Sequence, residues 1–189
     1  MQNLNIPNAN FGVINNFIAN PKALLDKLIS ETDWQQFTLG NGAKSPRLNK
    51  TYGAAYTYSG KYNAATDIPD FLMDIADAAA IAIGYKKGYF NQVLLNYYRD
   101  GSDSIGKHSD NEPELGSNPR VASISLGAVR TFYIVDRFNS SKQYGIPLQN
   151  GQLLAMGKNS QTHYMHYIPK DYNCKTPRVS ITLRSIKKV

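Results

Sequence analysis

Arg178-Val179-Ser180-Ile181-Thr182-Leu183-Arg184 alternates polar and apolar residues without a break. In extended backbone, successive side chains leave opposite faces, so Val179, Ile181 and Leu183 share one side and Arg178, Ser180, Thr182 and Arg184 the other. The apolar side asks for a core. The polar side carries an arginine at each end. It suits either solvent at an exposed edge or a ligand bearing carboxylates, because the planar guanidinium forks onto carboxylates and keeps its charge when buried.

Working outward, residues 92–98, 121–129, 131–136, 152–156 and 163–168 also read as strands, and 178–186 closes the series. Their spacing is irregular and shows no internal repeat. The chain before Phe90 has a different character. Residues 11–18 read as a short strand, after which Asn20-Pro21 supplies a cap and a first-turn proline for a helix to about Thr32, with Leu24, Leu25 and Leu28 as its buried stripe. The Gly-, Asn-, Lys-, Ser- and Pro-rich residues 36–50 carry loop chemistry. A strand resumes at 51–59. Pro69 opens a second helix to about Ile83, with Gly84 as its C-terminal cap. Two early helices followed by a run of antiparallel strands indicate a mainly β fold with flanking α, a sandwich or barrel with the helices packed on one side.

A chain of 189 residues fits one domain and buries roughly 70% of its unfolded surface. A hydrophobic content of 42% with 19% charged residues excludes a disordered chain. Cys174 is the sole cysteine, which excludes an internal disulfide and favours a reducing, intracellular setting. The most apolar run, 71–85, is broken by Asp74 and Asp77 and is too short to cross a bilayer. Residues 1–10 lack a basic region followed by an apolar one, so a soluble protein without a secretory signal is expected. The formal charge of +7 fits a polyanionic partner or a merely basic surface.

In Gly106-Lys107-His108-Ser109-Asp110, the His and Asp stand two apart, so in extended backbone both leave the same face, roughly 6 to 7 Å apart at Cα. A distant second His would complete a two-His-one-carboxylate face that leaves three coordination positions open. The chain has three histidines, so His163 and His166 are the candidates. A lone His-x-Asp is usually a surface pair; a strand with two same-side arginines makes a metal site with a dicarboxylate ligand the better reading.

Taken in order, Asn96-Tyr97-Tyr98-Arg99-Asp100-Gly101, Ile105-Gly106-Lys107-His108-Ser109-Asp110, Ser123-Ile124-Ser125-Leu126-Gly127, Thr162-His163-Tyr164-Met165-His166 and residues 177–184 resemble the AlkB family of Fe(II)/2-oxoglutarate-dependent dioxygenases. The similarity covers about residues 45–186 and is closest in look to the members that repair duplex DNA in animals. It implies a double-stranded β-helix (jelly-roll) core with the two N-terminal helices packed on one side. It also implies a single catalytic domain over 1–189: helix plus nucleotide-recognition lid in 1–65, a supporting helix in 66–90 and the jelly-roll in 91–189.

The resemblance implies His108, Asp110 and His166 as Fe(II) ligands. His166 is chosen over His163 because it precedes the apolar-Pro segment Tyr167-Ile168-Pro169. Asn96, Tyr98, Arg178 and Arg184 are implied to bind 2-oxoglutarate, Arg178 with Tyr98 at the far carboxylate and Arg184 with Asn96 at the metal-proximal end. Ser180 stands where many relatives carry Asn. The shorter side chain is expected to lose or lengthen a cosubstrate hydrogen bond, a net cost of about 0.5 to 1.5 kcal/mol.

Tyr56, Tyr58 and Ser59 match the base-pocket segment, Glu112 a position that contacts the target base, and Asn111 a position where some duplex-acting relatives have Asp. Lys44, Arg47 and Lys50 fall in a lid expected to grip phosphates, and Leu39 falls near the aromatic wedge of duplex-acting relatives. The implied activity uses O2 and releases formaldehyde, succinate and CO2 in demethylating 1-methyladenine and 3-methylcytosine in DNA, with RNA as a further substrate. The base is flipped from its stack, and a monomer without an obligate protein partner is expected. Two alternatives stay open at this point: the same chemistry on a protein or small molecule, and a noncatalytic nucleic-acid binder on the same fold.

Overall fold

In a computed structural model, which describes residues 1–38, 42–58 and 61–187 and only the backbone of 56–58 and 61–63, thirteen strands and three α-helices are laid down in the following order. β1 (Gln2–Asn3) and β2 (Phe11–Ile14) precede α1 (Pro21–Glu31). β3 (Leu48–Gly53), β4 (Tyr56–Tyr58) and β5 (Lys61–Asn63) then lead to α2 (Asp70–Ala82). β6 (Gln92–Tyr98), β7 (Ile105–His108), β8 (Val121–Gly127), β9 (Arg130–Asp136), β10 (Gln143–Leu148) and β11 (Gln152–Met156) follow. α3 (Ser160–His163), β12 (Tyr164–Ile168) and β13 (Arg178–Arg184) end the series.

The strands form a seven-stranded sheet, β1-β2-β11-β8-β13-β6-β3, a four-stranded sheet, β10-β9-β12-β7, and the separate pair β4-β5. Every pairing is antiparallel. β13 lies between β8 and β6, so it is a central strand, and all seven of its residues are buried. Its alternation has two burial partners instead of core and solvent. Val179, Ile181 and Leu183 pack with Val93, Leu95, Ile124 and Leu126 against Leu25 and Leu28 of α1 and Leu72, Ala76, Ala79 and Ala80 of α2. The small side chains of α2 let the helix approach the sheet closely; Ala79 and Ala80 are fully buried. The opposite face of β13 looks into the space between the sheets.

The caps form as the sequence implies. Asn20 Oδ1 accepts from the Ala23 N–H at the start of α1, and Gly84 follows α2 with a φ of 88°, a left-handed conformation that glycine enters without a Cβ penalty. Two departures have local causes. The strand expected at 51–59 is split because Gly53 turns to φ 95°, with the Asn91 carbonyl oxygen 2.2 Å from where a Cβ would stand. β10 escapes the strand pattern because Gly145 and Pro147 interrupt it; both are tolerated since β10 is a sheet edge, where a missing N–H costs little, and Gly145 lies under the Tyr133 ring. Among the described residues, no helix is long and apolar enough to cross a membrane.

Ile181 is fully buried between the helices and the sheet. Ile181→Ala should cost about 2–5 kcal/mol by loss of transfer free energy and creation of a cavity, read as a fall in the urea midpoint at unchanged slope.

Candidate active site

β7 delivers His108 at its last residue, and β12 pairs with it so that His166 lies directly opposite His108. The cross-strand register brings the two imidazoles to 4.2 Å between ring centroids. Phe132 of β9 stacks on the far face of His166 at 5.1 Å. Asp110 follows β7 with 1% of its surface exposed. Its backbone N–H donates to Gln161 Oε1 at 2.9 Å. Its Oδ1 accepts from Arg184 Nη2 at 2.7 Å, while Oδ2 is buried without a hydrogen-bond partner among the described residues and lies 4.0 Å from His166 Nε2.

The electrostatics separate the acid from the bases. Burial pushes the Asp110 carboxyl up, but Arg184, the two imidazoles and the Arg184 hydrogen bond outweigh it and leave the value at about 2. Burial, helped by His108 and Arg184, lowers His166 to about 3. Burial also lowers His108, against the pull of Asp110, although the residue as a whole is only half-buried. At neutral pH the group is therefore two neutral imidazoles and one carboxylate, the protonation state in which these side chains ligate a divalent first-row ion. Among the described residues, no three His, Cys, Asp or Glu side chains form a ready-made metal cage: the carboxylate is drawn toward Arg184.

The cavity beside this group occupies about 450 Å³, counting its open mouth, and its wall includes Asn96, Tyr98, Arg178, Ser180, Thr182 and Arg184. Arg178 is 1% exposed. Its Nη2 donates to Ser125 Oγ at 2.8 Å, its guanidinium lies 5.1 Å from the centre of the Tyr98 ring, and Nε and Nη1 are buried without a hydrogen-bond partner among the described residues. A buried cation with spare donors is costly unless an anion satisfies it. Asn96 Oδ1 accepts from Arg47 Nε at 2.8 Å and from Asn49 Nδ2 at 2.7 Å. Its Nδ2 faces Ser180 Oγ at 3.4 Å, a long contact that leaves this donor for a ligand.

His163 stands apart, at the end of α3, with its Nδ1 3.1 Å from Thr162 Oγ1. Arg47 departs from the expectation of a phosphate-gripping residue. It is 4% exposed and also donates from Nη1 to the Ser104 carbonyl, so its charge is spent inside the fold. Lys44 is exposed and donates to Thr38 Oγ1, and Lys50 pairs with Asp33. Asn111 is exposed and Glu112 half-buried, both outside the cavity wall. Tyr56 and Tyr58 bound the short strand β4, paired with β5. Leu39 and Ser59 lie outside the described residues. Gln161 and Phe132 carry no local signal in the sequence, and Ser125 stands in a family motif without an assigned role: each acts through a contact made only when distant segments meet.

A family model described as the 2OG-Fe(II) oxygenase superfamily matches residues 10–184. DNA oxidative demethylase ALKBH2 of Mus musculus is 32% identical over 185 residues, covering 87% of this chain and 76% of that protein. The chain belongs to the AlkB family of 2OG-Fe(II) oxygenases. Alpha-ketoglutarate-dependent dioxygenase alkB homolog 3 of Mus musculus is 34% identical over 176 residues, covering 86% of this chain. DNA oxidative demethylase ALKBH2 of Homo sapiens is 36% identical over 151 residues, covering 75%. The chain spans 60% of the length of the former and 57% of the latter. The solved structure of OsALKBH1 superposes with a TM-score of 0.70 at 18% identity, covering 93% of this chain and 97% of that one, so the jelly-roll expected from the motifs is the fold. Membership of the AlkB family implies Fe(II), 2-oxoglutarate and O2.

Arg184→Met strands the Asp110 carboxylate in the interior and should cost the metal-free protein about 3–5 kcal/mol, measured by urea unfolding at pH 7. Asp110 titrates near 2 when folded and near 3.9 when unfolded, so the stability carried by the pair is present above about pH 4 and is lost as pH falls toward 2. The difference between wild type and variant should shrink over that window.

Proposed function

We propose that this chain removes N-methyl groups from nucleobases, 1-methyladenine and 3-methylcytosine, in DNA and also in RNA, with His108, Asp110 and His166 as the Fe(II) ligands. One observation carries the cosubstrate half of this reading: the same cavity wall holds the two neutral imidazoles and the ionised carboxylate together with a buried arginine, Arg178, whose Nε and Nη1 have no hydrogen-bond partner among the described residues. Relatives named as DNA oxidative demethylases supply the substrate class.

The donor set fits the metal. Asp110 keeps one oxygen on Arg184 and has the other without a hydrogen-bond partner among the described residues, and Gln161 fixes the backbone of the same residue. In the cosubstrate's place, Arg178 with Tyr98 receives the far carboxylate, while Arg184 and the Asn96 Nδ2 serve the metal-proximal end. Ser180 leaves that amide loosely held, so a relative with Asn at this position should hold the cosubstrate more tightly.

When bound, Fe(II), 2-oxoglutarate and O2 together supply the oxidation of the N-methyl carbon to a hydroxymethyl group, with succinate and CO2 as coproducts. That group leaves as formaldehyde and restores the base. The protein's own share is orientation and exclusion of water: Phe132 fixes the His166 ring, and burial keeps both imidazoles available as neutral donors. No side-chain nucleophile is needed, and Cys174 takes no part.

Incubation with Fe(II), 2-oxoglutarate and ascorbate should release formaldehyde and succinate in equal amounts from oligonucleotides carrying 1-methyladenine or 3-methylcytosine; no release from single or double strands of DNA or RNA would sink the proposal. In Mn(II) calorimetry, His108→Ala should abolish tight metal binding. Arg178→Ala should spare the metal and weaken 2-oxoglutarate about 10- to 150-fold, the worth of hydrogen bonds to a charged group. Retention of both ligands by both variants would overturn the assignment.

A further inference from the structure

Phe138 is 78% exposed, at the tip between β9 and β10. A single exposed apolar side chain is ordinary on a protein surface; the backbone beneath this one is not loose. Asp136 Oδ1 accepts from the N–H groups of both Phe138 and Asn139, at 2.8 and 3.1 Å. The Asp136 N–H donates to the Lys142 carbonyl and closes the tip. Arg137 fastens it to the site: its backbone N–H donates to the His163 carbonyl at 2.9 Å, and its Nη2 to Ser109 Oγ at 2.5 Å and to the Gln161 carbonyl at 3.3 Å. Ser109 stands between the two residues proposed as metal ligands on that loop, and Gln161 also holds the Asp110 backbone. The Phe138 ring meets His163 edge-on at 6.0 Å.

The sheet register sets the location. Ile134 pairs with His166, which pairs with His108, and Asp136 pairs with Tyr164, so the end of β9 that carries Phe138 lies at the metal end of the smaller sheet. The aromatic ring shares its tip with two exposed cations, Arg137 and Lys142. A fixed aromatic ring flanked by positive charge is the chemistry that receives a stacked base beside a phosphate backbone. Because the tip is already pinned, little ordering entropy is lost when a base settles on it.

We propose that Phe138 is a positioning residue that stacks on a nucleotide flanking the target base, holding the strand at the metal end while the target base enters the cavity. This rests on the nucleic-acid substrate proposed above. Arg137 couples the stacking surface to Ser109 and Gln161, so strand and metal loop are aligned by one guanidinium.

The test measures fluorescence anisotropy of labelled, unmodified single-stranded and duplex oligonucleotides with the metal-free full chain, together with the emission of 2-aminopurine placed beside the methylated base. Phe138→Ala should weaken binding about five- to 150-fold, the worth of one base–aromatic stack, and relieve the 2-aminopurine quenching. Phe138→Trp should restore both. Ile81→Ala, an exposed apolar residue on α2, should change neither, and Mn(II) and 2-oxoglutarate affinities should be the same in all four proteins. Binding within twofold of wild type and unchanged quenching in Phe138→Ala would overturn the proposal. If wild type demethylates no oligonucleotide yet Phe138→Ala still loses binding and quenching, the demethylase reading fails and the stacking role stands.

Discussion

The ion pair between Arg184 and Asp110 joins the two sheets at the site. Arg184 ends the central strand of the larger sheet, and Asp110 follows β7 of the smaller one. Both are almost fully buried, so neither charge is tolerable without the other: desolvating a lone carboxylate or guanidinium costs several kcal/mol even after relaxation. The pair therefore fixes where the loop after β7 can lie. It also keeps the carboxylate ionised in a setting where burial alone would protonate it. Gln161 of α3 adds a second restraint through the backbone of the same residue, so the side chain of Asp110 is held by β13 and its main chain by α3.

That constraint depends on a sheet whose faces are both buried. On one side of β13, Val179, Ile181 and Leu183 meet the helices, which supplies the apolar burial that holds the strand at the centre. On the other, Arg178, Ser180, Thr182 and Arg184 form the polar part of a cavity wall that Leu94, Ile105, Phe132 and Ile168 complete. The apolar face anchors the strand rigidly enough for the polar face to keep buried arginines in one arrangement. Arg178 shows the consequence most clearly: it retains donors that the protein itself does not satisfy, an unfavourable arrangement for the isolated fold and a favourable one for binding a dicarboxylate.

The site is thus ordered in its protonation before any ligand arrives. Two imidazoles kept neutral by burial, with a carboxylate kept charged by an arginine, need release no proton to serve as donors. Around this interior the rim carries a different chemistry, an exposed phenylalanine and exposed cations on a tip tied to the same loop. Interior and rim are linked through Ser109 and Gln161, so whatever docks at the rim is registered against the cavity.

Much of this was written in the chain itself. The alternation in 178–184 dictates a strand with an apolar and a polar face, the Asn20-Pro21 and Gly84 signals mark helix ends that form as expected, and the His108-x-Asp110 spacing puts two donors on one side of extended backbone. These are local properties, set by backbone geometry within a few residues. Whether the polar face of β13 met solvent or a cavity was undetermined locally, because an edge strand and a central strand carry the same alternation; the pairing with β6 and β8 settled it. Likewise the partnership of His166 with His108, the seat of Asp110 between Arg184 and Gln161, and the burial of Arg47 beside Asn96 depend on contacts between residues 49 to 74 positions apart. Sequence spacing fixes which way a side chain leaves its own strand, whereas only the register and stacking of distant strands decide what it meets.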